Sequence, residues 1–413
     1  MRSSRRAMTN ANDMNVSTIV IVGGGVIGLS SAYHLARRGV PRVVLLEKDT
    51  VGAGASSRAG GIITAQLWSK TGIEARKLSL RLFQEISEEL RPYGYRFQAV
   101  GCLNLFSPAD WCEREKLLPL YRECGLPYET LAAAEIRQRW PLLAPADDII
   151  GLFDPLGGYS EPDDYIPALA QHCRALGVDI REGVTVTDFV VERGRVMGIR
   201  ADGEFLAADQ VICCAHSWTN RLLAAVGLQL PMKSFVHQRY LTAPLAKAPA
   251  LPAVNANPAG VYLRPAKGDR LLVGGETANR LEQENPAYGF GMDDLRAPAG
   301  FSARLRGKAQ ALLPALAQAP FQVERVGLIA FSMDGEPILG AVSGVSGLLL
   351  GTAFHSGGFA YNPVAGKLLA DLATEGETTL DITAFSPDRF KPAEASVYRK
   401  SRLRQNQAFS RRH

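Results

Sequence analysis

Gly23, Gly25, Gly28 and Glu47 are the residues whose types and spacing point most directly to chemistry. The glycines are spaced G-x-G-x-x-G, and the acid follows about 20 residues on, as a dinucleotide grip requires. Gly23 permits a tight turn, Gly25 lets a pyrophosphate approach the backbone, and Gly28, with Ala32 one turn on, lets a helix lie close to a sheet. Val26 and Ile27 open that helix, whose unpaired N–H groups and macrodipole favour anions. Glu47 suits ribose hydroxyls, with Lys48 beside it in the same cofactor-binding set. A carboxylate there repels a 2′-phosphate, which disfavours NADP; the unit leaves NAD and FAD both open.

The elements that must position these residues are legible around them. Thr18–Val22 is an uncharged β-branched run, the mark of a fully buried parallel strand. A helical repeat follows until Gly39, then a second strand, Arg42–Leu46, ends on Glu47. Directly after it comes Val51–Gly61, VGAGASSRAGG, too poor in apolar mass to be core. Ser56, Ser57 and Arg58 suit a pyrophosphate, and Gly60 and Gly61 leave room for a flat ring against backbone. An NAD enzyme has no need of this second wrap, so the stretch favours FAD.

With 413 residues, 46% of them hydrophobic, the chain can bury a large core and form two or three domains. Of the net charge of +5, residues 1–16 carry +2 and residues 399–413 carry +6, so the remainder is −3. The basic excess belongs to two tails, expected to be solvated and disordered, which argues against nucleic acid as a partner. Cys102, Cys112, Cys124, Cys173, Cys213 and Cys214 show no C-x-x-C and no metal-ligand spacing, so no metal is expected and a reduced, cytoplasmic setting fits. No secretory h-region or membrane-span pattern is present.

Further along, residues 73–91 read as a helix with Leu78, Leu82, Phe83, Ile86 and Leu90 on one face. Glu161 begins a second helix running to about Leu176. Strands and turns alternate over 178–215, with an Asp202-Gly203 hairpin and a buried strand QVICCA ending before His216-Ser217-Trp218. Residues 228–320 form a strand-rich block with an acidic loop at 281–295 and a helix near 302–317. Finally a buried strand, GLLLGTAF, runs through His355-Ser-Gly-Gly into a helix beginning near Val364, a second anion site at a helix start.

The ordered set GGGVIGLSSAYHLARRG…LLEK, GASSRAGG, SEPDDYIPALAQHCRALGVDI, VYLRP…LLVGGE, MDGEPILG and GTAFHSGGFAYNPVAGKLLADL resembles the FAD-dependent D-amino-acid oxidase superfamily. Within it, the glycine oxidase and sarcosine oxidase β-subunit branch is most similar, over roughly residues 17–390. The resemblance implies an α/β fold: a Rossmann-type FAD-binding domain from 17–92, 151–225 and 323–392, interleaved with an α+β substrate domain built on an antiparallel sheet from 93–150 and 226–322. Residues 1–16 and 393–413 are left as tails. It places Val186 at the adenine side, Trp218 after the strand end, and Gly357, Gly358 and Phe359 at the flavin pyrimidine. It implies oxidation of the C–N bond of an amino acid or a secondary or N-methylated amine, by hydride transfer to flavin N5, with oxygen or another electron acceptor. The alternative it leaves is a flavin-binding β-type subunit that works only with partner subunits.

Several positions depart from the family pattern. His216 stands where glycine is usual, and histidine tolerates positive φ better than most residues. Gly327 falls at a cysteine that can anchor flavin, and no histidine lies between His34 and His172, so the FAD is expected to be non-covalent. Ile329 falls at the arginine that pairs with a substrate carboxylate in glycine oxidases. Another cation must then hold such a carboxylate, because an unpaired one in a dry pocket is strongly penalised. The candidates are Arg239 and Arg264, with Tyr240 and Tyr262 as donors and His355 beside the flavin. A secondary or N-methylated amino acid, or a larger amine, is expected rather than glycine.

Overall fold

The computed structural model describes residues 17–275, 282–283, 286–404 and 407. The tail expected at 1–16 lies outside them, as do residues 281, 284 and 285 of the acidic loop and 405–406 and 408–413 of the basic tail.

The first of the two large sheets has six strands, in the order Ile338–Ala341, Leu348–Thr352, Gln210–Cys213, Thr18–Val22, Arg42–Glu47, Asp179–Glu182. Every neighbouring pair is parallel except the first. The inner strands are apolar on both faces because both faces are covered, whereas the edge strand Asp179–Glu182 is polar and largely exposed. Ile19, Ile21, Val43 and Leu45 pack into a core with the helices Val26–Arg37, Lys70–Leu90, Pro162–Ala175 and Gly358–Thr374. The alternate residues Val20, Val22, Val44 and Leu46 pack with Val186, Phe189, Val196 and Ile199 of a three-stranded meander. That meander (Val186–Glu192, Arg195–Ala201, Glu204–Ala207) turns at Asp202 and Gly203, with φ of 48° and 86°, the positive values a two-residue hairpin turn needs.

The second large sheet has eight strands, in the order Phe321–Ser332, Met232–Thr242, Arg270–Gly275, Val261–Ala266, Ala253–Ala256, Cys102–Phe106, Ile150–Asp154, Glu129–Ala132. It is antiparallel apart from Ala253–Ala256 against Cys102–Phe106. Phe321–Ser332 pairs along the full length of Met232–Thr242, so a boundary at 323 divides a strand of this sheet, and one at 150 divides another. Backbone pairing, invisible in the motif order, assigns both strands here. The helix Phe301–Leu312 covers this sheet and stops before Pro314, which lacks the N–H to continue it; a 3-10 turn, Pro314–Gln318, takes its place.

The helices Val26–Arg37 and Gly358–Thr374 cross in direct contact. A Cβ on Gly366 would meet the Ser30 carbonyl carbon at 2.4 Å, and His34 Nε2 hydrogen-bonds the Pro363 carbonyl at 3.0 Å. Pro363 sits inside its helix and cannot donate to the Phe359 carbonyl four residues back. Asn362 Nδ2 donates to that carbonyl instead at 2.6 Å, and its Oδ1 accepts from the Tyr165 hydroxyl at 2.7 Å. This substitution lets the helix begin at Gly358 rather than near Val364.

Part of the stretch assigned to a basic tail is ordered structure. Pro392–Lys400 is a helix with Ala395 and Tyr398 buried at i, i+3 spacing, and Lys233 Nζ bonds both Glu282 (2.6 Å) and the Ser401 carbonyl (2.7 Å) beneath it. Among the described residues no helix is long and apolar enough to cross a membrane.

Candidate functional site

A cavity of about 700 Å³ runs from Glu47 at the end of the second strand to His355 and Gly358 at the start of the last large helix. Its first end is built by the sequence motif. Glu47 Oε2 accepts from Gly24 N at 2.8 Å and Oε1 from Asp49 N at 3.0 Å, which fixes the carboxylate at the cavity edge. Burial pushes its pKa up, and those two N–H groups pull against the shift. Val186 and Trp218 line the same end; Lys48 Nζ lies 4.9 Å over the Trp218 ring, whose Nε1 donates to the Ala287 carbonyl at 3.0 Å.

Gly23, Gly25, Val26, Ile27 and Ser56 line the middle. Gly23 has φ of 108°, and a Cβ there would meet the Cys214 carbonyl oxygen at 2.6 Å. Gly28 does not line the cavity; a Cβ on it would strike the Gly23 carbonyl oxygen at 2.0 Å, so its role is to close the turn. Ser56 Oγ accepts from Val26 N at 3.0 Å and caps the helix start. Arg58 lines the cavity, but its guanidinium is tied elsewhere: Nε to the Val326 carbonyl (2.7 Å), Nη1 to the Ala53 and Gly54 carbonyls, and Nη2 to Asp293 (2.6 Å). Ser57, whose carbonyl accepts from Arg239, lies off the cavity. Gly60 and Gly61 line it with backbone, and their missing side chains make room for protein: a Cβ would meet the Tyr262 ring at 2.8 Å and the Ser160 carbonyl oxygen at 2.1 Å respectively.

At the far end, Gly357, Gly358 and Phe359 present the start of Gly358–Thr374. Arg76 lies against it: a Cβ on Gly357 would meet Arg76 Nη2 at 2.1 Å. Arg76 is buried with its Cζ 4.1 Å over the Tyr361 ring, and burial pulls its pKa down. A cation and a helix N-terminus converging on one spot favour negative charge there. His355 packs among Trp68, Phe331 and Tyr361, with Nδ1 3.3 Å from Ser356 Oγ. His355 and His216 both follow parallel strands and both hold positive φ, 45° and 47°. His216 Nδ1 meets Ser217 Oγ at 2.9 Å, and burial lowers its pKa to about 4, so it carries no charge at neutral pH.

The outer wall comes from the second sheet and the segment after Gly61. Tyr262 packs flat over Gly60 and Gly274, its hydroxyl 3.0 Å from His237 Nε2. Ile329 and Phe331 face the cavity. Arg239, Tyr240 and Arg264 do not. Arg264 is fully buried in a bidentate pair with Glu161 (2.7 and 2.9 Å), and its Nε holds the Gly60 carbonyl at 2.5 Å. Arg239 Nη2 donates to the Ser57 carbonyl at 2.8 Å, and Tyr240 stacks on Phe321 at 4.7 Å. Both arginines therefore grip the serine-glycine wrap from behind; a buried cation demands partners, and these found them in the fold.

Sequence reasoning missed Gln66, Trp68, Arg76, Asn104 and Arg114 on the cavity wall. Arg76 carried a signal: with Ile73, Leu80 and Phe83 it holds a place in the buried stripe of its helix, a charge at an apolar position. Arg114 sits in the run Cys112-Glu-Arg-Glu-Lys116, which reads as a solvated face. Together the oriented Glu47, the tight glycine turn, the helix start at Val26 and the cation-backed helix start at Gly358 fit an ADP-containing flavin along one cavity.

Comparison with known proteins agrees. Residues 18–372 match the DAO family model, described as FAD dependent oxidoreductase. The chain is 31% identical over 382 residues to glycine oxidase from Geobacillus kaustophilus, covering 90% of this chain and 96% of that one. It is 30% identical over 378 residues to 4-methylaminobutanoate oxidase (formaldehyde-forming) from Paenarthrobacter nicotinovorans, but covers only 45% of it; the chain spans under half the length of that relative. L-proline dehydrogenase from P. horikoshii superposes with a TM-score of 0.83 at 25% identity, covering 91% of this chain and 98% of that one. The chain belongs to the DAO family of FAD-dependent oxidoreductases.

Proposed function

We propose that this protein oxidises the C–N bond of a secondary or N-methylated amino acid. The observation that carries the reading is the continuity of the cavity: the dinucleotide grip opens directly onto a wall of aromatic and neutral polar groups from the second sheet. FAD, when bound, supplies the redox chemistry by accepting a hydride from the carbon beside the amine nitrogen, and the resulting imine hydrolyses in water. Glu47 holds the ribose end, and the helix start at Gly25–Val26 holds the pyrophosphate. Arg76 and the helix start at Gly358 favour negative charge at the far end. Tyr262, backed by His237, and Trp68, whose Nε1 donates to Glu336 at 2.9 Å, are stiff walls that orient the amine and exclude water. Ile329 leaves its part of the outer wall apolar, which favours an alkylated nitrogen over a bare one.

The test is anaerobic bleaching of the bound flavin by glycine, sarcosine, proline, D-amino acids and N-alkyl amines. Sarcosine, proline or a longer N-methyl amino acid should bleach fastest; bleaching by glycine alone would overturn the substrate, and none by any amine would overturn the reaction class. Turnover by the chain on its own would remove the partner-dependent subunit reading. The FAD is held without a covalent bond in this reading, so acid precipitation should leave a colourless pellet; retained yellow would refute it.

A further inference from the structure

We infer that the substrate's carboxylate is held by Arg114 and Gln66, an inference that rests on the amine-oxidising reading and extends it. Arg114 is 7% exposed and lines the cavity. Among the described residues its hydrogen bonds both leave from Nη1, to the Gln66 carbonyl at 3.2 Å and the Tyr121 hydroxyl at 2.9 Å, and its Cζ lies 5.0 Å from the Phe106 ring centre. No carboxylate among the described residues pairs with it. A buried guanidinium facing a cavity on such terms calls for an anion from outside.

Gln66 supplies an independent sign. It is 3% exposed, and its Nε2 has no hydrogen-bond partner among the described residues. Its Oε1 is taken by Asn104 Nδ2 at 2.8 Å, and Asn104 Oδ1 is taken in turn by Asn255 Nδ2 at 2.9 Å. Each amide of this relay donates to the next, so the last donor, Gln66 Nε2, is aimed onward with nothing to receive it. Burying such a group costs stability unless a ligand completes it. The segment is held rigidly: buried Asp154 accepts from Thr64 Oγ1 at 2.8 Å and Ala65 N at 3.0 Å. A carboxylate, with acceptor oxygens only, satisfies both the amide donor and the guanidinium. This cation takes the role that Ile329 cannot, and unlike Arg239 and Arg264 it lines the cavity.

Gln66→Glu is the decisive variant, because it keeps the acceptor for Asn104 while replacing the unpartnered Nε2 donor with a carboxylate oxygen that repels a bound acid. Arg114→Gln and Arg114→Lys accompany it, and FAD content and thermal midpoint are recorded for each. Binding of propanoate, an unreactive carboxylate, is followed by the shift of the flavin absorption band. Flavin bleaching is followed with 4-methylaminobutanoate, sarcosine and N-methylpropylamine, which lacks the acid. Q66E should retain FAD, lose propanoate affinity by about 30-fold or more, and lose the same on the acids but little on the plain amine. R114K should recover part of what R114Q loses. Equal propanoate affinity in wild type and Q66E, or equal losses on acids and plain amine, would overturn the inference. Failure of every amine to bleach the wild type would refute the reaction class, while the propanoate titration would still decide the carboxylate site.

Discussion

Glu47 does two things at once: it ties down the Gly24 turn and presents a carboxylate to the cavity. Burial raises its folded pKa, so it takes up a proton at higher pH than an ordinary glutamate at about 4.3. By linkage, its charge costs the fold stability at neutral pH, and that cost is relieved as pH falls through the folded value to below the ordinary one. In the proposed placement of the ribose the same protonation removes its acceptor, so FAD release on acidification should begin above the ordinary glutamate range, and Glu47→Gln should flatten that dependence. Glu47→Ala should weaken FAD by about 1.5–3 kcal/mol, the worth of a charge-assisted hydrogen bond; an unchanged dissociation constant would show that the acid does not reach the nucleotide. This residue was legible because its spacing from the glycines is dictated by one βαβ unit. Arg239 and Arg264 were not, because a sequence places an arginine on a strand without saying which carbonyl or carboxylate lies behind that strand. His216 is an intermediate case: its positive φ could be anticipated, its neutrality only from its surroundings.

Among elements, the crossing of Val26–Arg37 with Gly358–Thr374 matters most, because their N-termini are the two places where the cavity favours negative charge. Ser30 and Gly366 set the crossing point, so the separation of the two helix starts is fixed by a side chain that is absent. Gly366→Ala gains about 1 kcal/mol of helix propensity but drives a methyl into backbone that cannot swing aside. Overpacking of this kind costs about 1–3 kcal/mol, so the variant should melt lower and release FAD faster. A higher melting temperature with unchanged FAD release would show that the helices have room to separate. Both helices could be read from the sequence, yet the second begins six residues before the expected Val364. Pro363 reads as a stop, and only the packed position of Asn362 reveals that the lost backbone bond is replaced.

At the scale of the whole molecule, Glu161 and Arg264 join three parts of the chain: the start of helix Pro162–Ala175, the second sheet and the Gly60 carbonyl. Burial works to raise the Glu161 carboxyl, but the Arg264 hydrogen bonds and charge outweigh it and hold the pKa below its usual value. A depressed carboxylate contributes its stability above the unfolded value, about 4.3, and loses it as pH falls through the folded one. Glu161→Gln should therefore cost about 3–5 kcal/mol near neutrality, since it leaves a buried guanidinium uncompensated, and the gap from wild type in thermal unfolding should close on acidification below about pH 4. A gap independent of pH would place the loss elsewhere.

The strand order of the six-stranded sheet also sets a timetable. The glycine turn and Glu47 are made within the first 50 residues, but Thr18–Val22 gains its other neighbour only with Gln210–Cys213, and that strand gains its own only with Leu348–Thr352. At elongation rates of about 5–20 residues per second, the interval from Gly28 to Gly358 is on the order of tens of seconds. Until Gln210–Cys213 is made, the uncharged Ile-Val strand Thr18–Val22 has an open edge, a surface that pairs readily with other chains. The nucleotide grip is thus synthesised long before Gly357, Gly358 and Phe359 of the far cavity end.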